Sequence, residues 1–268
     1  MQENEKIIAL LIDAENVSQK YIQCIISEVS LYGTPAYKRI YGDWTLPDMS
    51  GWKKMLLDNN LSPIQQFRYT QGKNATDSAM IIDAMDILYS GHVDGFCLVS
   101  SDSDFTRLAA RLRESRMTVI GMGEQKTPGA FKAACDTFKY LEVLYESQQP
   151  KTAPKKESRP AKKFAAKTDV KPAAHPEAAK PAPHPAPVTF DLKELTRSIR
   201  EILEVESDEE GYMLLSQIGV ILSRKYPDFD TRNYGFSKMY KLIEATGAFD
   251  TKAVTSPGGG KIWAVRAK

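Results

Sequence analysis

The chain has 268 residues, enough for one large domain or two small ones, and its 36 basic and 34 acidic side chains leave a net charge of only +2. It has no apolar run near the roughly 20 residues that a membrane-spanning helix needs, and its polar amino terminus lacks a signal-peptide core. Its three cysteines follow no paired ligand spacing, which argues against a disulfide framework and predicts buried thiols in a cytoplasmic protein.

The first half of the chain alternates short apolar runs with amphipathic stretches. Unbroken apolar runs at residues 7–12 and 95–99 each predict a strand that is buried on both faces of a sheet. The other predicted elements of this part are helices at 17–31, 52–58, 76–90, 106–113 and 131–134, and strands at 36–41, 64–69, 117–122 and 138–143. This alternation predicts an α/β fold of three layers, in which helices cover both faces of a mainly parallel sheet.

The middle of the chain has a different composition. Residues 147–187 contain nine basic and three acidic side chains, and nine of the fifteen prolines lie there. Such a segment buries too little apolar surface to fold, so we expect a flexible Lys/Pro/Ala-rich linker without a fixed interface between the parts it joins. Its positive charge could contact nucleic acid, or the linker could be merely a solvated tether.

The last part of the chain predicts a second compact unit. Apolar residues at helical spacing indicate three helices, at 192–205, 213–226 and 236–245. Residues 249–254 and 261–266 flank the turn sequence SPGGG and predict a β-hairpin. Together they predict a small winged helix-turn-helix domain. We therefore divide the chain into a domain at 1–146, a linker at 147–187 and a domain at 188–268.

Aspartates end two of the predicted strands and open one helix. Asp13 follows the first strand, Asp102 and Asp104 follow the buried strand at 95–99, and Asp77 begins a helix on its core-facing stripe. Open α/β sheets hold their ligands at the carboxyl ends of the strands, so we expect these four acids to share one site. Taken alone, each can instead cap a helix or lie solvated at the surface.

Several common sites are excluded by the residues present. The turn at 13–16 contains no glycine, which excludes a dinucleotide fingerprint and a P-loop at this position. Only three histidines occur, and His175 and His184 fall in the proline-rich segment. A histidine-based zinc site or a Ser-His-Asp triad therefore lacks the necessary side chains.

Three motifs of the first domain resemble those of NYN domains, which are relatives of the PIN ribonucleases. They are the sequences DAEN at 13–16, TD at 76–77 and SDSDF at 101–105, and the similarity extends through TPGAF at 127–131. The carboxy-terminal unit resembles a LOTUS (OST-HTH) domain in the sequences LLSQIG at 214–219 and DTRNYGF at 230–236 and in the terminal hairpin.

The NYN resemblance implies a PIN-like fold and a metal-dependent ribonuclease whose clustered acids are Asp13, Asp77, Asp102 and Asp104, with Asn16 beside the first. Carboxylate oxygens suit Mg²⁺ or Mn²⁺, which can stabilise charge on the oxygens of a phosphodiester during hydrolysis. We expect Asp13 and Asp102 to be direct ligands, and Asp77 and Asp104 to ligate directly or to orient a water. Asp43 and Asp83 are weaker candidates.

Residues 1–146 carry a net charge of −4, so local cations must offset the repulsion of RNA. The candidates near the site are Lys73, Arg107 and Arg111. The LOTUS resemblance implies RNA binding or docking onto a protein partner, and Lys238, Lys241 and Lys261 are the candidate phosphate contacts there. For each of these side chains, a solvated surface role is the alternative.

Two other functions are compatible with the same residues. One is a non-catalytic RNA-binding or regulatory protein with a vestigial acidic pocket. The other is a metal-dependent phosphatase on a similar sheet, which is disfavoured because a second aspartate is expected two residues after the first, where this chain has Glu15.

Overall fold

The computed structural model describes residues 5–67, 75–149, 191–255 and 261–268. The strands before residue 150 are β1 (Ile7–Asp13), β2 (Thr34–Gly42), β3 (Ser62–Gln65), β4 (Gly95–Val99), β5 (Thr118–Gly123) and β6 (Thr137–Tyr140). The helices there are α1 (Ile22–Val29), α2 (Trp52–Asn59), α3 (Ala75–Ser90), α4 (Thr106–Glu114), α5 (Gly129–Ala134) and α6 (Leu141–Gln148).

The six strands form one sheet in the order β3-β2-β1-β4-β5-β6, and every pairing is parallel. From Ile8 onward β1 is buried, and β4 is buried along its whole length, because each has helices on both faces. The helices pack on the sheet through two separate apolar clusters, one on each face. The predicted three-layer α/β/α fold is confirmed.

The strand order determines where a site can form. The chain leaves β1 toward β2 on one side, whereas β4 pairs with the other side of β1, so the order reverses between these two strands. Ile12 is in register with Val99, which places the residues after the two strands side by side. This switch point is where open α/β sheets bind ligands.

Two predicted strands of the first domain have different bounds in the structure. The strand expected at 64–69 is Ser62–Gln65, and part of the expected range lies outside the described residues. The strand expected at 138–143 ends at Tyr140, where α6 begins. Leu141 and Leu144 are three residues apart and both are buried against the first apolar cluster, which requires a helix and not a strand.

The carboxy-terminal part contains three helices and three short strands among its described residues. These are α7 (Leu192–Glu206), β7 (Met213–Leu214), α8 (Leu215–Lys225), α9 (Met239–Thr246), β8 (Phe249–Thr255) and β9 (Lys261–Ala267). The strands form an antiparallel sheet in the order β7-β9-β8 against a common core with the helices. The helices and the hairpin strands were predicted, and the turn between the strands lies outside the described residues.

Two helix starts in this part were predicted too early. Met213 and Leu214 pair with β9 and do not open α8. Residues 236–238 precede α9: the 3-10 turn Thr231–Tyr234 ends at Gly235, whose φ is 81°, and the backbone of Lys238 is still extended, so the helix begins at Met239. The apolar periodicity alone did not indicate these interruptions.

Three further predictions concern the cysteines, membrane-spanning helices and the contact between the two domains. Cys24, Cys97 and Cys135 are buried and unpaired, as predicted. Among the described residues, no helix is long and apolar enough to cross a membrane. The expectation of no fixed interface between the folded units is wrong, because residues 227–232 hydrogen-bond to the first domain.

We expect Gly121→Ala to lower the free energy of unfolding by about 1–3 kcal/mol. A Cβ on Gly121 would lie 2.7 Å from both the Sγ of Cys135 and a ring carbon of Phe138, and both side chains are buried. Urea denaturation measures the change. The control is Gly129→Ala, where a Cβ would meet no atom within 4 Å. Equal free energies of unfolding for the two variants would show that the core around β5 accommodates the added methyl group without loss of stability.

Candidate active site

Asp13 ends β1 and is almost fully buried, with 1% of its surface exposed. Its Oδ1 accepts hydrogen bonds from the backbone N–H groups of Glu15 and Asn16, at 3.0 and 3.3 Å. Its Oδ2 accepts the Nδ2–H of Asn16 at 2.8 Å and the hydroxyl of Ser100 at 2.7 Å. Burial raises the pKa of Asp13, and these hydrogen bonds oppose the increase.

Ser100 joins the ends of the two central strands. It is fully buried directly after β4, where its hydroxyl donates to Asp13 and also accepts the backbone N–H of Asp102 at 3.1 Å. One hydroxyl therefore fixes the carboxylate after β1 and the start of the turn after β4. The sequence does not indicate this role of Ser100, because it depends on a contact with a residue 87 positions away.

Asp102 and Asp104 lie in the turn between β4 and α4. Asp102 caps the 3-10 turn Ser103–Phe105, and its Oδ1 accepts the backbone N–H of Asp104 at 2.9 Å. This short turn positions the two carboxylates two residues apart at the carboxyl edge of the sheet. Asp102 is partly buried and Asp104 is exposed.

Asp77 approaches these two acids from the first turn of α3. One carboxylate oxygen from each of Asp77, Asp102 and Asp104 lies within 4.8 Å of the others. Asp13 is outside this group of three, which we call the acidic trio. Three of the four predicted acids thus lie close together. The carboxylate of the fourth, Asp13, is held by hydrogen bonds from Asn16 and Ser100.

Negative charges concentrate at Asp77, which is 8% exposed. Burial raises its pKa, and the charges of Asp13 and of the other two members of the acidic trio raise it further, to about 6. Crowded carboxylates at this edge therefore cost free energy in the absence of a cation. Such a site favours a proton or a metal ion.

A further contact joins α3 to the turn after β1. The hydroxyl of Thr76, which is buried, donates to the carboxylate of Glu15 at 2.9 Å. This bond holds the first turn of α3, which carries Asp77, close to the strand that ends in Asp13. Glu15 and Thr76 both belong to the motifs at 13–16 and 76–77, but the sequence does not predict their contact.

The weaker acidic candidates lie apart from the acidic trio. Asp83 faces another direction of α3, where it pairs with Arg39 and accepts the hydroxyl of Tyr41. Asp43 is buried in the loop after β2 and accepts the hydroxyl of Thr45 at 2.5 Å. Both carboxylates thus stabilise local structure.

The predicted RNA-binding cations occupy exposed positions where the structure describes them. Arg107 and Arg111 lie on α4, and Arg111 donates to the hydroxyl of Ser115 at 2.6 Å. Lys238 precedes α9, Lys241 lies within it and Lys261 begins β9. Lys73 lies outside the described residues.

Comparison with known proteins identifies two families along the chain. The model of the NYN domain matches residues 7–142, and the model of the OST-HTH/LOTUS domain matches residues 191–259. No curated protein matches the chain. Among solved structures, a crystal structure of a protein of unknown function from Vibrio parahaemolyticus is 18% identical, with a TM-score of 0.44, and the match covers 52% of this chain and 94% of that chain.

The NYN match spans more than half of the chain and includes every acid of the candidate site. Both predicted resemblances are confirmed, in the predicted order along the sequence. The chain belongs to the NYN domain family and continues into an OST-HTH/LOTUS domain.

Proposed function

We propose that the protein is a divalent-metal-dependent ribonuclease that cleaves RNA phosphodiester bonds at the acidic trio. The observation that carries the proposal is the convergence of Asp77, Asp102 and Asp104 within 4.8 Å at the switch point of the sheet. The two matched families support a nuclease-like, RNA-associated role for the chain. The buried thiols support a reducing, cytoplasmic location.

The donor set fits a hard divalent cation. All three side chains of the acidic trio offer carboxylate oxygens, and no histidine or cysteine lies in that group. Such oxygens suit Mg²⁺ or Mn²⁺, with several waters retained. When bound there, the cation would supply charge stabilisation for the attacking and leaving oxygens of the phosphodiester.

The chain's own side chains have separable roles in this proposal. Asp77, Asp102 and Asp104 would hold the cation, and Asp13 adds a negative charge that acts on Asp77. Asn16 and Ser100 act as positioning residues, because their polar groups hold the carboxylate of Asp13. Asp13 remains a proposed metal ligand, as the sequence predicted, and Asn16 is proposed to position its carboxylate.

RNA must approach an acidic edge, so exposed cations are needed along its path. Arg107 is the second residue of α4, three positions after Asp104 in the sequence, and its side chain is exposed. This position suits contact with a phosphate. The carboxy-terminal domain adds Lys238, Lys241 and Lys261 as proposed phosphate contacts. The proposed domain limits are 1–146, 147–187 and 188–268.

We expect Asp102→Asn to reduce metal-dependent cleavage of RNA by at least about 100-fold, because it removes a ligand charge and keeps the side-chain shape. A gel assay on single-stranded and structured RNA, with Mg²⁺, Mn²⁺ or EDTA, measures the rate. The control is Asp86→Asn, an exposed aspartate on α3 outside the acidic trio. RNA binding without metal-dependent cleavage by the parent protein would instead favour the non-catalytic alternative.

We expect Asp77→Asn to stabilise the metal-free protein at pH 7 by about 1–3 kcal/mol. The pKa of Asp77 is about 6 in the folded protein against an ordinary 3.8, so the folded state holds this proton more tightly. The stability of the parent therefore falls as pH rises from about 4 to about 6, and the variant lacks this part of the fall. Urea unfolding in EDTA across this pH range measures both effects.

The parent protein and Asp77→Asn also test whether a divalent cation binds at the acidic trio. Mg²⁺ or Mn²⁺ should raise the Tm of the parent more than that of Asp77→Asn, since a bound ion relieves the repulsion within the acidic trio. Asp86→Asn serves again as the control for loss of one negative charge on α3. Parallel stability curves for parent and Asp77→Asn, with and without metal, would contradict a cation site at these carboxylates.

We expect the triple variant Lys238→Ala, Lys241→Ala, Lys261→Ala to bind RNA more weakly and with a flatter salt dependence. Each lost phosphate contact on a single strand lowers the slope of log K against log salt by about 0.7. Titrations at two salt concentrations measure this. The control replaces three other exposed lysines, Lys53, Lys54 and Lys193. Equal slopes for the parent and the triple variant would indicate that the carboxy-terminal domain binds a protein partner instead of RNA.

A further inference from the structure

A buried acid of the NYN domain is paired with a cation of the other domain. Glu28 lies on α1 and is only 5% exposed. Its two carboxylate oxygens accept hydrogen bonds from Nη1 and Nη2 of Arg232, at 2.9 and 2.8 Å. Among the described residues, Arg232 is the cation that forms a salt bridge with Glu28, and it is 204 positions away in the sequence.

Arg232 is itself held in place by a second acid and through it by a second cation. Asp230 accepts from Nε and Nη2 of Arg232 at 3.0 and 2.7 Å, and it also accepts from Nζ of Lys139 on β6 at 2.5 Å. The side chains of Lys139 and Asp230 are only 11% and 12% exposed. Burial acts to raise the pKa of Asp230, but Arg232 and Lys139 outweigh it and lower the value to about 2.

The edge of the large sheet is covered by the same segment of the carboxy-terminal domain. β6 is an edge strand, and the backbone N–H of its buried Phe138 donates to the carbonyl of Pro227 at 2.8 Å. The hydroxyl of Tyr140 donates to the carboxylate of Asp228 at 2.6 Å. An edge strand has backbone groups without a strand partner, and this contact satisfies the N–H of Phe138.

We propose that the α1–β6 face of the NYN domain is a docking surface for residues 227–232 of the carboxy-terminal domain of the same chain, so that the two domains act as one rigid unit. The partner is identified by complementarity: two acids and two cations alternate from Glu28 through Arg232 and Asp230 to Lys139. Glu28 is buried in the docked arrangement, and a buried carboxylate that loses its cation partner is strongly destabilising, so removal of the Arg232 charge from the docked chain should cost stability.

This inference concerns assembly and holds whether or not the acidic trio cleaves RNA. Docking places the carboxy-terminal domain against β6, two strands away from β4, at whose end Asp102 lies. RNA held by the docked domain would therefore be presented to the acidic trio from a constant direction. Residues 227–232 would also be unavailable to another protein.

The first experiment cuts the chain between its domains. Residues 150–190 span up to about 140 Å when fully extended, so a second copy could also supply the docking segment. A specific protease site is placed in this stretch of the full chain, the native protein is cut, and the halves are passed over a gel-filtration column at about 10 µM.

Co-elution of the two halves, from a chain that was monomeric before cutting, is the expected result. Separation of the halves overturns the proposal. An uncut chain with twice the expected mass also overturns it, because the contacts would then join two copies.

The second experiment tests the contact in the uncut chain. Arg232→Gln should lower the Tm of the NYN domain by several degrees, although the substitution lies in the other domain. Arg200→Gln, at an exposed position of α7, is the matched control. Adding Glu28→Gln to Arg232→Gln should recover most of the lost stability, because no buried charge then lacks a partner.

Thermal unfolding is followed by near-ultraviolet circular dichroism of Trp44 and Trp52, which both lie in the NYN domain, with Trp263→Phe in all variants. An unchanged Tm of the NYN domain in Arg232→Gln, or a fall that Glu28→Gln does not reverse, overturns the proposal. A merely local role of Arg232 within its own domain would give one of these two results.

Discussion

The hydroxyl of Ser100 is the interaction on which the arrangement of the site depends. It lies where β1 and β4 end side by side, donates to the carboxylate of Asp13 and accepts the backbone N–H of Asp102. Both strands are buried on each side, so neither end can shift independently of the core. The turn that carries two acids of the trio is thereby anchored to the strand that carries the fourth acid.

The fold concentrates negative charge at the carboxyl edge of the sheet, which lowers the stability of the protein in the absence of a cation. The raised pKa of Asp77 reflects this conflict, since burial and neighbouring carboxylates both disfavour its charged form. Thr76 and Glu15 keep the first turn of α3 close to β1 despite the repulsion. Functional sites are where such local conflicts are expected, because the remainder of the core can offset their cost.

Charge is handled differently at the contact between the domains. Glu28, Arg232, Asp230 and Lys139 are also crowded and poorly exposed, but their signs alternate and each carboxylate accepts from a cation. Burial of these four side chains therefore favours one docked geometry. Because their charges balance one another, no bound ion is needed there. The same chain thus brings carboxylates of one sign together at the carboxyl edge of its sheet, and alternates carboxylates with cations at the contact between its domains.

The sequence by itself predicted the three-layer fold, the winged second domain and a shared site of Asp13, Asp77, Asp102 and Asp104, because apolar runs, helical spacing and strand ends are local patterns. The structure brings Asp77, Asp102 and Asp104 together and leaves Asp13 outside that group. Only the tertiary structure decided that Leu141 begins a helix, that Met213 joins a strand, that Ser100 connects Asp13 to Asp102 and that Glu28 meets Arg232. These outcomes depend on which surfaces pack together, and two residues 204 positions apart leave no periodic signal of their contact.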